Sequence, residues 1–261
     1  MSPDSAVEFS RRYLREIISA VPQPCCLIGG WSVYLTLNEK FENATGREYI
    51  GSRDIDLGFH FDPKWNQKEF ENSPFSKAIA KISAMGFEPE SYRFVKRFHL
   101  AEKRELTPEE ARRLPLYDNF NLYIDVLVDS TSPTRFKRAG FTVLEEPLLS
   151  KVFAGKDQVA TKLDGIKVTM PSPQLLMEMK VRSFPLRTAD DKKTKDLLDL
   201  CALLLYSGLK PSMVNNNPEG GKVTARYAKA IDNTTKEEWK YVSESLGISE
   251  SEARRIARLV R

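Results

Sequence analysis

The chain has 261 residues, 41% of them hydrophobic and 29% charged, with three cysteines and a net charge of +4. That is enough apolar material to bury a core, as one large domain or two small ones, and the balance excludes a fibrous or disordered chain. No apolar run approaches the roughly 18–20 residues that span a bilayer. Cys25, Cys26 and Cys201 are odd in number and two are adjacent, which is no disulfide framework and suits a reducing compartment. The start, Met1-Ser2-Pro3-Asp4, lacks a basic stretch before an apolar one, so no signal peptide is expected. The expectation is a cytoplasmic protein without a membrane partner. Its mildly basic charge is compatible with nucleic acid but does not identify it.

In chain order, Val7, Phe9, Tyr13, Leu14, Ile17 and Ile18 recur at helical spacing and predict a helix over 5–20, ended by Pro22 and Pro24. Residues 25–28 read as a short buried strand and 31–37 as a helix start. The polar segment 38–52 reads as a loop, and 54–61 as a strand. A helix is expected over 75–85, stopped by Gly86, then a strand over 92–100 carrying Arg93, Lys96 and Arg97. Thr107 and Pro108 open a short helix as cap and first-turn residue. The strongest strand is 120–128, with shorter strands following to 168. At Met170-Pro171-Ser172-Pro173 the texture changes, with Ser172 as cap and Pro173 at the first helical position. Helices are expected near 174–184, 189–206, 222–231, 235–246 and 249–260, and a loop over 215–221. The split is an α/β part over 1–170 and an α-helical part over 171–261.

Three features carry chemistry. Asp54 and Asp56, two apart on a strand, share one face while Ile55 and Leu57 point to the core. Two adjacent carboxylates repel unless a cation sits between them. A divalent ion supplies that charge, and exposed acids on an edge strand are the plainer alternative. Asp125 lies in an otherwise apolar strand, where an acid is costly without a partner. It is either satisfied by an arginine or backbone donors, or it is a third carboxylate of a metal site. Gly29-Gly30-x-Ser32 places glycines and a hydroxyl at a strand-to-helix turn, where backbone N–H groups can approach a phosphate. His60 and His99 are too far from cysteines to suggest zinc and read as core or surface residues.

Gly29-Gly30-x-Ser32, Asp54-x-Asp56 and Asp125 together resemble the signature of the polymerase-beta-type nucleotidyltransferase superfamily. The helical part is similar to AbiEii/MenT-type toxin nucleotidyltransferases. It shows Val168-x-x-Pro171-Ser172-Pro173-x-Leu175-Leu176, then Lys180, Arg187 and Lys195-Asp196-Leu197-Leu198-Asp199-Leu200. The likeness covers roughly residues 25 to 205. It departs in the long gap from Gly30 to Asp54 and in Phe184-Pro185, where Pro185 should break or kink the helix.

The resemblance implies an α/β (α+β) fold: a mixed sheet with flanking helices as catalytic core over 1–170, then a helical C-terminal region over 171–261. Asp54, Asp56 and Asp125 would bind metal, two Mg²⁺ ions or alternatively Mn²⁺, and would be catalytic together with Lys180. Gly29, Gly30, Ser32, Arg53, Lys180, Arg187 and Asp196 would serve the nucleotide and its phosphates. The implied activity moves a nucleoside monophosphate from an NTP to an acceptor. For the AbiEii/MenT-type group that acceptor is the tRNA 3′ end, and the protein is the toxin of a toxin–antitoxin pair with a cognate antitoxin as partner. The basic strand 93–97 and the arginines at 254, 255, 258 and 261 are compatible with RNA. The alternatives are a transferase acting on a protein or a small molecule such as an aminoglycoside, or a non-catalytic nucleotide-binding or interaction protein of the same fold.

Overall fold

A computed structural model describes residues 4–115, 117–130, 142–209 and 220–260. The chain divides into two compact units, one of residues 1–32 and 51–171 and the other of residues 33–50 and 172–261.

The first unit is built on a mixed sheet. Its strands are β1 (Cys26–Ile28), β2 (Ile55–Phe59), β3 (Glu88–Glu90), β4 (Arg93–His99), β5 (Arg104–Leu106), β6 (Asn119–Val128), β7 (Leu144–Glu145), β8 (Gln158–Leu163) and β9 (Ile166–Pro171). They are ordered β3-β4-β6-β2-β1-β9-β8, with β5 against β4 and β7 against β6. β2 and β6 run parallel, while β1 and β4 pair antiparallel with β2 and β6 respectively. β6 is central because its even-numbered side chains, Phe120, Leu122, Ile124, Val126 and Val128, are all buried. The helix Asp4–Ala20 turns Phe9, Tyr13, Leu14 and Ile17 inward. Phe9 and Tyr13 meet Phe98 of β4 with ring centroids 5.0 and 5.1 Å apart. Burying side chains of this kind stabilises by about 1.5–3 kcal/mol each before chain entropy is counted. The helix Pro74–Ala84 is capped by Ser73, buries Phe75, Ala78 and Ile82 at three- and four-residue spacing, and stops at Gly86 with φ +82°.

The second unit contains the helices Pro173–Ser183, Asp190–Tyr206, Gly220–Asp232, Lys236–Leu246 and Glu250–Ala257. Ser172 accepts from the Leu175 N–H, and Pro173 occupies the first turn. At Pro185 the chain leaves the α-helix for a 3-10 turn, Phe184–Leu186, because proline lacks the donor that a continuing helix needs. Asp190–Tyr206 is the unit's inner helix: Leu197, Leu198, Leu200, Cys201, Ala202 and Leu203 are all fully buried.

Three segments differ from the sequence reading. Residues 38–45 are not loop; the helix Gly29–Thr45 runs through them. Phe41 follows Leu37 by one turn and both are buried. Its ring stands edge-on to Tyr49 and Tyr206, 5.2 Å from each. Polar residues on the outer face hid this inner stripe. The short helix Leu149–Phe153 interrupts the run of strands that the sequence predicts up to residue 168. Of the loop expected over 215–221, residues 215–219 lie outside the described residues, and Gly220 and Gly221 open a helix. No helix among the described residues is long and apolar enough to cross a membrane.

Candidate active site

Four adjacent strands bring the first unit's charged groups into one row. Ile28 pairs with Asp56, Asp56 with Asp125, and Asp125 with Arg93. Residues paired in register on neighbouring strands, about 4.8 Å apart, project from the same face. Asp56 and Asp125 therefore rise side by side from β2 and β6. Asp54 lies one residue before β2 and keeps the alternation: Ile55 and Leu57 are fully buried, while Asp54 and Asp56 are part-exposed.

Asp125 has an arginine partner. Arg93 donates from Nε to Oδ1 at 2.8 Å and from its NH2 nitrogen to Oδ2 at 2.7 Å. This two-point, charge-assisted arrangement is the strong geometry for arginine and carboxylate. Asp125 is only 8% exposed. The guanidinium also lies 4.2 Å from the Tyr123 ring centroid and 5.1 Å from that of Tyr92. Burial alone would lower the Arg93 pKa, but its bonds to Asp125 and the charges of Asp125 and Asp54 outweigh burial and raise it. The sequence reading placed Arg93 only in a basic strand. A signal existed, because an acid within apolar β6 calls for a cation, but the register that selects Arg93 spans 32 residues and no local pattern encodes it.

Gly29 and Gly30 open the 17-residue helix Gly29–Thr45 directly after β1. Gly29 has φ +67°, and a Cβ there would fall 1.9 Å from Asp56 Oδ2. A Cβ on Gly30 would fall 2.9 Å from the Ser52 side chain. The two glycines thus let the carboxylate of Asp56 and the segment before β2 pack against the start of a helix, where the peptide dipoles favour negative charge. Ser32 is fully buried in the first turn, and Arg53 is exposed just before Asp54.

Asp54, Asp56 and Asp125 offer carboxylate oxygens alone, the donor set that suits a hard divalent cation such as Mg²⁺ or Mn²⁺. Among the described residues no three His, Cys, Asp or Glu side chains are drawn together as a metal cage. Here both oxygens of Asp125 face Arg93. The donor chemistry fits such a cation, with Arg93 as its rival for one carboxylate.

In the second unit, Lys180, Arg187 and Asp196 form a separate ionic network. Lys180 Nζ lies 2.5 Å from Asp196 Oδ1 and 2.8 Å from Asp199 Oδ2. Arg187 Nε donates to Asp196 Oδ2 at 2.7 Å. Asp199 also pairs with Lys195 and accepts from the Tyr49 hydroxyl at 2.7 Å. Asp196 and Asp199 are 3% and 0% exposed. Burial would lower the Lys180 pKa, but the two aspartate charges raise it instead. Burial would raise that of Asp196, but Lys180 and Arg187 hold it below the usual carboxylate range. Burial first, then the Asp199 charge, pushes the Tyr49 hydroxyl well up. Buried as they are, the two acids form no solvated helix face.

Several basic residues expected to be available are engaged. Lys96 pairs with Glu105 at 2.5 Å, and Arg97 with Glu88 and Glu90 at 2.8 and 3.0 Å. Arg47 donates to the carbonyls of Glu244 and Ser245 at 3.0 and 2.6 Å, at the end of the helix Lys236–Leu246. Arg254 stacks on Trp239 and Arg258 pairs with Asp232, while Arg255 is exposed and Arg261 lies outside the described residues. One pair escaped the sequence reading. Asp129, buried just after β6, meets His60 Nδ1 at 2.6 Å just after β2.

No protein-family model matches the chain, and no curated protein matches it. Among solved structures, it is similar to the crystal structure of an antigenic nucleotidyltransferase-like protein from Paracoccidioides brasiliensis. The two are 15% identical over 95% of each chain, with a TM-score of 0.45.

Proposed function

We propose that the first unit is a nucleotidyltransferase, moving a nucleoside monophosphate from an NTP to a hydroxyl acceptor. The observation that carries this reading is the Asp56–Asp125 pair on adjacent parallel strands, with Asp56 packed against Gly29 at a helix start. Carboxylates beside a glycine-lined helix N-terminus are what a phosphate-transfer site needs: cation ligands and backbone donors in one place.

In this reading Asp54, Asp56 and Asp125 would hold Mg²⁺, which would neutralise phosphate charge and lower the pKa of the attacking hydroxyl. The N–H groups at Gly29 and Gly30 orient the phosphates, and the helix that they open favours their charge. A bond forms between the acceptor oxygen and the α-phosphorus, and the bond from that phosphorus to the bridging oxygen breaks, releasing pyrophosphate. An oxygen of Asp125 takes the hydroxyl proton. Most of the rate then comes from positioning and charge neutralisation.

The acceptor we assign is the tRNA 3′ end, and the role that of a toxin with a cognate antitoxin, because the Lys180 to Asp199 motif resembles AbiEii/MenT-type enzymes. One observation favours a protein or small-molecule acceptor instead: Arg93, Lys96 and Arg97 are all committed to acids, so β4 offers no unpaired basic stripe. The test supplies Mg²⁺ and each of four α-labelled NTPs in turn, with total RNA, cell protein and an aminoglycoside as acceptors. Label on tRNA is the expected result. Label only on protein or the aminoglycoside selects the second reading, and no label on any acceptor sinks the transferase reading.

A further inference from the structure

We propose that Arg93 stands in the resting protein where a divalent cation would bind Asp125, so that the two compete for that carboxylate. The inference rests on the nucleotidyltransferase reading for the cation, and on geometry for the competition. Arg93 faces both Asp125 oxygens, at 2.8 and 2.7 Å, and so takes one acceptor position on each and sets its positive charge against the carboxylate that a cation would use. Asp125 is 8% exposed, so little of its surface remains for a second approach.

The guanidinium is also held from its own side. Its carbon is 4.2 Å from the Tyr123 ring centroid, and Tyr123 precedes Asp125 by two residues on the same strand face. The charge of Asp54 acts on it as well. Two cationic groups cannot share Asp125 without repelling each other, so the cation enters as Arg93 leaves.

Arg93 stays charged when it leaves, because guanidinium does not deprotonate in proteins. Its planar fork matches phosphate oxygens as well as carboxylate ones. The triphosphate is therefore its natural second partner. Cation on Asp125 and phosphate on Arg93 arrive together, and metal alone binds weakly. The device would keep the site closed to free cations until nucleotide is present.

The test measures Mn²⁺ binding to the full chain by electron paramagnetic resonance, without nucleotide. The chains compared are wild type, Arg93→Gln, Arg93→Lys, Asp125→Asn and the double variant Arg93→Gln/Asp125→Asn. Arg93→Gln is expected to tighten Mn²⁺ binding by about tenfold or more, the factor that corresponds to ~1.4 kcal/mol. The double variant is expected to lose that gain. Arg93→Lys keeps a charge but cannot span both oxygens, and is expected to fall between. It carries the test should Arg93→Gln fail to fold.

Mn²⁺ binding no tighter in the folded Arg93 variants than in wild type overturns the proposal, as does a gain that survives Asp125→Asn. Tightened binding without transfer of label to any acceptor would sink the transferase reading and leave the competition standing. Unchanged binding with intact transfer would do the reverse.

Discussion

Replacing Lys180 with methionine tests the second unit's ionic network. The substitution keeps side-chain length and removes the ammonium that lies 2.5 and 2.8 Å from Asp196 and Asp199. Both acids are almost wholly buried, and stranding buried charge typically costs about 3–5 kcal/mol. Each acid keeps another partner here: Arg187 for Asp196, and Lys195 with Tyr49 for Asp199. The expected loss is therefore the low end, about 3 kcal/mol, which lowers the melting temperature by roughly 6–12 °C at this chain size. The pH dependence gives a second readout. Asp196 titrates below its ordinary value of about 3.9, so its contribution is present above that pH and lost as pH falls through the folded value. Lys180 titrates above its ordinary value of about 10.4, so its contribution is present below that pH and lost as pH rises through the higher folded value. The gap between wild type and variant should be flat from about pH 5 to 10 and narrow on either side. Circular-dichroism melts from about pH 2 to 12 measure it. A shift under about 2 °C at pH 7, or a gap that persists unchanged at pH 2, would refute the reasoning.

Two further outcomes follow from single residues. Gly29→Ala meets both a left-handed backbone and a Cβ 1.9 Å from Asp56 Oδ2. Denaturant melts should show a loss of at least about 2 kcal/mol, beyond the 1–2 kcal/mol of backbone strain alone; a neutral substitution would contradict the close approach. Burial pushes the Cys25 thiol well up and those of Cys26 and Cys201 to about 12, so little thiolate exists at pH 8. Ellman's reagent should react with the three thiols only after denaturation, and rapid reaction of any one in the native chain would contradict their burial.

Elements whose periodicity and end signals agree were legible. The helix Asp4–Ala20 shows its buried stripe at every turn, and Thr107 with Pro108 or Ser172 with Pro173 marks a helix start by local chemistry alone. The helix past residue 37 was not, because a single buried ring, Phe41, carries its inner face among polar neighbours. Its packing partners Tyr49 and Tyr206 are a loop and a distant helix away.

At the site, the sequence raised the question and left its answer open. An acid inside apolar β6 demanded a partner, and Arg93 is that partner in the structure. Sheet order decides this: β4 lies beside β6 in space and precedes it by a helix and a strand in the chain. The same holds in the second unit, where Asp199 collects a donor from Tyr49, 150 residues earlier. Arg93 and Tyr49 thus come from remote segments set by packing, whereas Lys195 lies one helical turn before Asp199 and is a local partner.

We propose nucleotidyl transfer at the Asp56–Asp125 pair. The most direct measurement compares label transfer from the NTP that serves wild type with transfer by Asp56→Asn, at equal fold content by circular dichroism. Loss of one preorganised charge at a reacting centre costs about 100-fold or more, and the expected result is a drop of that size with the fold intact. Transfer by Asp56→Asn at the wild-type rate would contradict the claim.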